Sequence, residues 1–209
     1  AQMNATAIVD RQSGVEYNFL PVESESGTFF WNLSEATLTR SGGGFLTEGA
    51  SYTHAFILKW RQPDSSPYRT LFHHSLARGT HVGDHCQFTQ NDLLGVRSNR
   101  APHPGTNDPE WNSGYTISED NTWTLLVAVG NGLNATSPEG KTVFWQATRS
   151  RAPSLVGTSL RTCCGLSFDR IGWPGVGAAN QGPGLVSRVM AWDVALTADE
   201  IHHLWSTIW

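Results

Sequence analysis

The sequence predicts an all-β fold: two antiparallel sheets packed face to face, with one short helix at the C-terminal end. Three observations lead there. Short β-branched and aromatic segments recur about every ten residues, separated by Gly, Pro and polar turn formers. No stretch before Thr197 carries a helical period, so nothing supplies the crossover helices that neighbouring parallel strands need. The chain then closes on Thr197-Ala-Asp-Glu200, a capping box, with Ile201, Leu204 and Trp205 following on one apolar face.

Each element has its own signal. "TAIVD" (Thr6–Asp10) and "ATLTR" (Ala36–Arg40) alternate and stop at polar or Gly punctuation. "YTHAFILKWRQ" (Tyr52–Gln62) is the longest segment: Phe56, Leu58 and Trp60 share one face, and Ala55, Ile57 and Lys59 the other. "RTLFHHS" (Arg69–Ser75), "DHCQFTQ" (Asp84–Gln90) and "DLLGVRS" (Asp92–Ser98) follow at short turns. "TWTLLVAVG" (Thr122–Gly130) and "KTVFWQATR" (Lys141–Arg149) flank a polar loop, and "CGLSFDRIG" (Cys164–Gly172) precedes the closing "LVSRVMAW" (Leu185–Trp192). Asn99–Gly114 and Trp173–Gly184 read as long irregular loops, the kind that carry function. A helix of about eight residues is too short to stand alone, so it must plug the rim of a sheet, with His202 and His203 outward.

With 209 residues, 39% hydrophobic and 15% charged, the chain fits a single domain over 1–209. A formal net charge of −4 and scattered Lys and Arg exclude a general nucleic-acid binder, which needs a basic face. No apolar run approaches the ~20 residues of a membrane span. The opening "AQMNATAIVD" has the form of a mature or excised domain, and an extracellular, lumenal or periplasmic location is expected. Three N-glycosylation sequons, at Asn4, Asn32 and Asn134, fit that location but hardly exceed the roughly two that chance supplies. Of the three cysteines, vicinal Cys163 and Cys164 face opposite ways in a strand, so one of them at most pairs easily with Cys86. The alternative is three reduced thiols.

The last segment matches a pattern. Gly184, Val186, Val189, Trp192, Asp193, Ala195, Leu196, Thr197, Glu200 and Ile201 resemble the closing strand and helix of the concanavalin A-like, laminin-G-like jelly rolls. "SYTHAFILKWRQPDSSPYRTLFHHS", "NTWTLLVAVGNG" and "GKTVFWQATR" resemble the family's earlier strands, so the likeness runs from Tyr52 to Trp205. It implies one concave sheet, with binding loops at the rim or in the groove.

Four chemistries follow. The two-carboxylate string E-x-D-x-x-E of glucanases on this fold is absent, and Glu23/Glu25 and Asp108/Glu110 lie in turns, so no enzymatic activity is expected. His81, Asp84 and His85 have a spacing that one turn brings together, with His73 or His74 from the next strand, which suits zinc or copper; solvated turn histidines are the simpler reading. The resemblance implies a calcium ion at the rim, for which Asp84, Asp92, Asn107 and Asp108 are the candidate side chains. Finally, nine tryptophans exceed what the strands require. Trp111, beside Asn107, Asp108 and Asn112, and Trp173, in the Gly-rich loop with Asn180, are the expected sugar-stacking pair; each is alternatively a lid on the core beneath its loop. The leading expectation is a non-catalytic module that binds a glycan or glycoprotein through rim loops. The competing one is a subunit docking onto a larger assembly, and a polysaccharide-active enzyme comes third. No nucleic-acid partner and no membrane insertion are expected.

Overall fold

A computed structural model of the chain describes residues 22–25, 28–33, 38–39, 51–61, 68–74, 84–96, 111–117, 121–131, 141–160, 170–172, 182–192 and 194–209. They form β1 (Val22–Glu25), β2 (Thr28–Asn32), β3 (Leu38–Thr39), β4 (Ser51–Trp60), β5 (Tyr68–His74), β6 (Asp84–Gln90), β7 (Leu93–Val96), β8 (Asn112–Thr116), β9 (Thr124–Asn131), β10 (Lys141–Thr148), β11 (Arg151–Ser159), β12 (Arg170–Ile171), β13 (Gly184–Trp192) and α1 (Ala198–Ile208). A seven-stranded sheet runs β1-β2-β13-β4-β9-β10-β11, and a six-stranded sheet runs β3-β12-β5-β6-β7-β8. Every ladder is antiparallel. The expected two-sheet sandwich with a C-terminal helix is therefore what the chain forms. The segment Thr6–Asp10 lies outside the described residues. Among those described, no helix is long and apolar enough to cross a membrane.

β4 shows how the sequence pattern becomes layers. Tyr52, Phe56, Leu58 and Trp60 enter the core between the sheets, where they meet Leu71, Phe72, Leu94, Val96, Leu126 and Phe144. Its alternate residues, Ala55 and Ile57, enter a second core on the outer side of the same sheet. A strand buried on both faces reads as a nearly continuous apolar run, as this one does. Within the inner core the rings form a column. His54 stacks on Tyr52 at 4.6 Å and meets Phe72 at 4.2 Å, and Phe72 meets Phe56 at 4.3 Å. The Tyr52 ring crosses Gly130, its ladder partner, where any Cβ would overlap it. Its hydroxyl then shares a 2.7 Å hydrogen bond with Thr142 one strand further on.

The helix corrects one expectation. It does not plug the rim; it lies across the outer face of the seven-stranded sheet. Ile201 and Ile208 are buried in the second core with Leu125, Val127, Val129 and Ala147, and Leu196, Leu204 and Trp205 pack on them. The capping box forms: the Glu200 amide donates to Thr197 Oγ1 at 3.3 Å, and the Thr197 amide donates to Glu200 Oε2 at 2.8 Å. Two further ties hold the layer down. Thr53 Oγ1 donates to the Val194 carbonyl (2.8 Å) and accepts from the Leu196 amide (2.9 Å); the Trp205 indole donates to the Thr148 carbonyl (2.8 Å). An apolar stripe wide enough to need covering, on a sheet already buried on its inner side, explains why a helix of 11 residues is stable here. His202 and His203 are exposed, as expected.

Candidate functional site

The tryptophan surplus is taken up first by packing. Trp123, Trp145, Trp192, Trp205 and Trp209 pack against the outer core beneath and around α1. Trp123 also meets the Phe30 ring at 5.7 Å and carries the Lys59 ammonium 5.3 Å from its centroid. Trp60 is in the inner core and Trp31 packs on its margin. The outer face of the seven-stranded sheet is thus an interior surface over its central strands.

Trp111, expected as a sugar-stacking ring or alternatively as a lid beneath its loop, is 7% exposed. Its ring lies over Gly95, where any Cβ would overlap it. Leu94 and Val96 face the inner core. Gly95, between them, therefore faces away from it, and the Trp111 ring covers the outer side of the six-stranded sheet. The Trp111 carbonyl accepts from the Val96 amide at 2.9 Å, which locks the segment to β7. Asn112 is half-buried on β8, and its Oδ1 accepts from the Gly114 amide at 2.7 Å.

Asp92 sits in the two-residue turn between β6 and β7. Asn91 and Asp92 have φ of 50° and 63°, the left-handed pair that such a hairpin turn demands. Its carboxylate Oδ1 accepts from the Trp60 indole at 3.3 Å, and its carbonyl accepts from the Ile117 amide at 3.0 Å. The side chain nominated for calcium is thus tied to the end of the core. Asn32 is exposed at the end of β2. Asp84, His85 and Cys86 have their backbone on β6. Asn107, Asp108, Trp173, Asn180, His81, Cys163, Cys164, Asn4 and Asn134 lie outside the described residues. Among the described residues, no three His, Cys, Asp or Glu side chains gather as for a metal ion.

The ladder register brings together residues that the sequence keeps far apart. Arg170 pairs with Thr39 on one side and His73 on the other, and His73 pairs with His85. Thr39, Arg170, His73 and His85 therefore form one row across β3, β12, β5 and β6. The adjacent pair, Ile171 and Phe72, belongs to the inner core. Two bulges set this register: Leu71 is the extra residue on β5 and Cys86 the extra residue on β6. His74 and Asp84 are the next opposed pair.

With this geometry, the chain is a two-sheet antiparallel sandwich of the jelly-roll type, backed by a helix. No protein-family model and no curated protein sequence matches it. Among solved structures it is similar to Trypanosoma rangeli sialidase in complex with the inhibitor DANA, with a TM-score of 0.55 and 14% identity over 92% of this chain and 29% of that one. It is similar to the same sialidase in complex with sialic acid, with a TM-score of 0.51 and 10% identity over 92% and 30%. The CBM40 of Ruminococcus gnavus IT-sialidase bound to α2,3-sialyllactose aligns over 84% of this chain and 95% of that one, at 12% identity and a TM-score of 0.43, a likeness that carries no argument. The chain spans less than a third of the length of the sialidases it matches. At these identities the likeness establishes the fold. It also overturns one expectation: the fold is shared with chains of enzymes, so the missing glucanase carboxylates do not mark this chain as inactive.

Proposed function

We propose that the chain is a laminin-G-like carbohydrate-binding sandwich whose ligand lies on the outer face of the six-stranded sheet. One observation carries this reading. Of the two outer faces, the seven-stranded one is closed over its central strands by α1 and a belt of tryptophans. Among the described residues no helix lies over the other. The two sialidase structures, solved with an inhibitor and with sialic acid, support a glycan as the ligand class. The expected rim platform at Trp111 plays no part, because its ring is spent on Gly95.

The test is a glycan array, probed with and without calcium and followed by a turnover assay on every glycan retained. Saturable binding that survives Trp205→Phe, a change on the covered face, is the expected result. An array with no hits would sink the reading. A second reading has its own observation: Leu155 and Leu160 are 54% and 63% exposed, on and just beyond the edge strand β11. Exposed leucines at a sheet edge suit docking to a protein. In that case the array is empty and the chain is recovered with a stable protein partner.

A further inference from the structure

We propose that Asn32 is an N-glycan acceptor: in a chain that enters a secretory compartment it takes an oligosaccharide, whose first sugar packs against the aromatic pair Phe30 and Trp123. The site lies on the outer side of the seven-stranded sheet. It therefore stands apart from the reading of the six-stranded face as the ligand surface.

A sequon alone says little, because the triplet recurs by chance. The fold adds what the triplet lacks. Trp31 and Leu33 both pack into the inner core, and Leu33 is fully buried there. The Leu33 amide donates to the Gly184 carbonyl at 2.8 Å, which ties the end of the strand to β13. Asn32, between these two anchors, is turned to the opposite side of β2, and it is exposed. Ser34 completes the triplet Asn32-Leu33-Ser34 in the sequence. Asn is a poor strand former, so nothing in the strand itself calls for it at this position.

The surroundings suit a sugar. Phe30 is two residues back on the same face of β2, about 7 Å along the strand. Its ring centroid lies 5.7 Å from that of Trp123, which stands just before β9. The register shows the path between them. Asn32 pairs with Leu185, and Leu185 with Lys59, so the three form one row across β2, β13 and β4. Leu185 and Lys59 are buried, and the Lys59 ammonium lies 5.3 Å from the Trp123 ring centroid. The indole thus reaches from the margin of β9 across this row to Phe30, and it is only half-buried. A pyranose offers one apolar face of C–H groups to such a ring and leaves its hydroxyls in water.

The chemistry is a substitution. The Asn32 side-chain nitrogen forms a bond to the anomeric carbon of an oligosaccharide carried on a lipid diphosphate. The bond from that carbon to the phosphate oxygen breaks, and the lipid diphosphate leaves with the electron pair. The amide nitrogen gives one proton to a base of the transferase, and nothing is oxidised or reduced.

The test expresses the whole chain behind a signal peptide in a eukaryotic secretory host and maps its glycopeptides by mass spectrometry. Asn32→Gln and Ser34→Ala, made in the same host, are mapped beside it. The expected result is an oligosaccharide on the peptide that holds Asn32, and loss of the same mass increment in both variants. An unmodified Asn32 peptide, in secreted or retained chain, overturns the proposal, whether or not Asn4 and Asn134 are occupied. The packing is read separately, after an endoglycosidase trims the glycan to its first sugar. An aromatic contact of ordinary strength should raise the thermal midpoint of a chain this size by about 2–4 °C over both variants. Midpoints equal to those of the variants overturn the contact with Phe30 and Trp123.

Discussion

The outer sides of the two sheets of this sandwich are covered in different ways. On the seven-stranded sheet the outward positions of β4, β9, β10 and β13 that lie under the helix layer include Ala55, Ile57, Leu125, Val127, Val129 and Ala147, with Met190 and Trp192 packed beside them. Water cannot be left on such a surface, so the last eleven helical residues are laid over it. On the six-stranded sheet the described cover of the outer side is the Trp111 ring over Gly95, and no helix among the described residues lies there. The lesson is that aromatic content says little about binding until its layer is known: five of nine tryptophans belong to the covered face.

The largest expected effect strikes both faces at once, because it lies in the core they share. His54 is fully buried between Tyr52 and Phe72, and burial pushes its pKa from 6.5 down to about 3. Since the folded value is the lower one, the unfolded chain binds more protons between the two. Stability is therefore lost as pH falls from 6.5 toward 3, at a slope approaching about 1.4 kcal/mol per pH unit. Urea midpoints across this range should show that slope in the parent chain and a flatter profile in His54→Leu; equal slopes would refute it.

Next comes the covered face. Trp205→Ala removes a ring from the outer core and strands the Thr148 carbonyl, and should cost about 3–4 kcal/mol. Glycan affinity, measured on the fraction still folded, should be unchanged. A variant that keeps its stability but loses binding would reverse the assignment of the two faces.

Two smaller effects sharpen the contrast. Thr89, on β6, is fully buried and its hydroxyl has no hydrogen-bond partner among the described residues. Thr89→Val keeps the shape, drops a stranded polar group and should stabilise by about 1 kcal/mol, visible as a raised thermal midpoint. Thr197→Ala removes the cap of the covering helix and should cost about 1 kcal/mol or less, since the cap is exposed. The hydrogen bonds from Thr197 hold the Glu200 carboxyl below its usual range, so part of this difference should vanish in acid as that carboxyl protonates. A destabilised Thr89→Val would mean that the hydroxyl is engaged after all.

Much of the fold was legible. β4, β10 and β13 announce themselves by β-branched and aromatic alternation, and α1 by a capping box that the structure reproduces atom for atom. β11 was missed. It is an edge strand holding Pro153 and Gly157, and both depress a strand signal while being tolerated at an edge with bulges. β8 was read as the end of a loop, because Asn112-Ser-Gly114 is turn chemistry unless a neighbour supplies a ladder.

The site was less legible, for a physical reason. Local sequence determines what a segment prefers within a few residues: extended or helical, and where a cap begins. Those preferences, summed, specified an antiparallel sandwich ending in a helix. Which face each residue presents to which layer is a property of register, and a one-residue bulge shifts it by a whole side chain. Leu71 and Cys86 are such bulges, and nothing in their immediate sequence marks them. Only the packed sheets decided that Trp111 closes over Gly95, that the helix covers one face, and that Arg170 stands in line with His73 and His85.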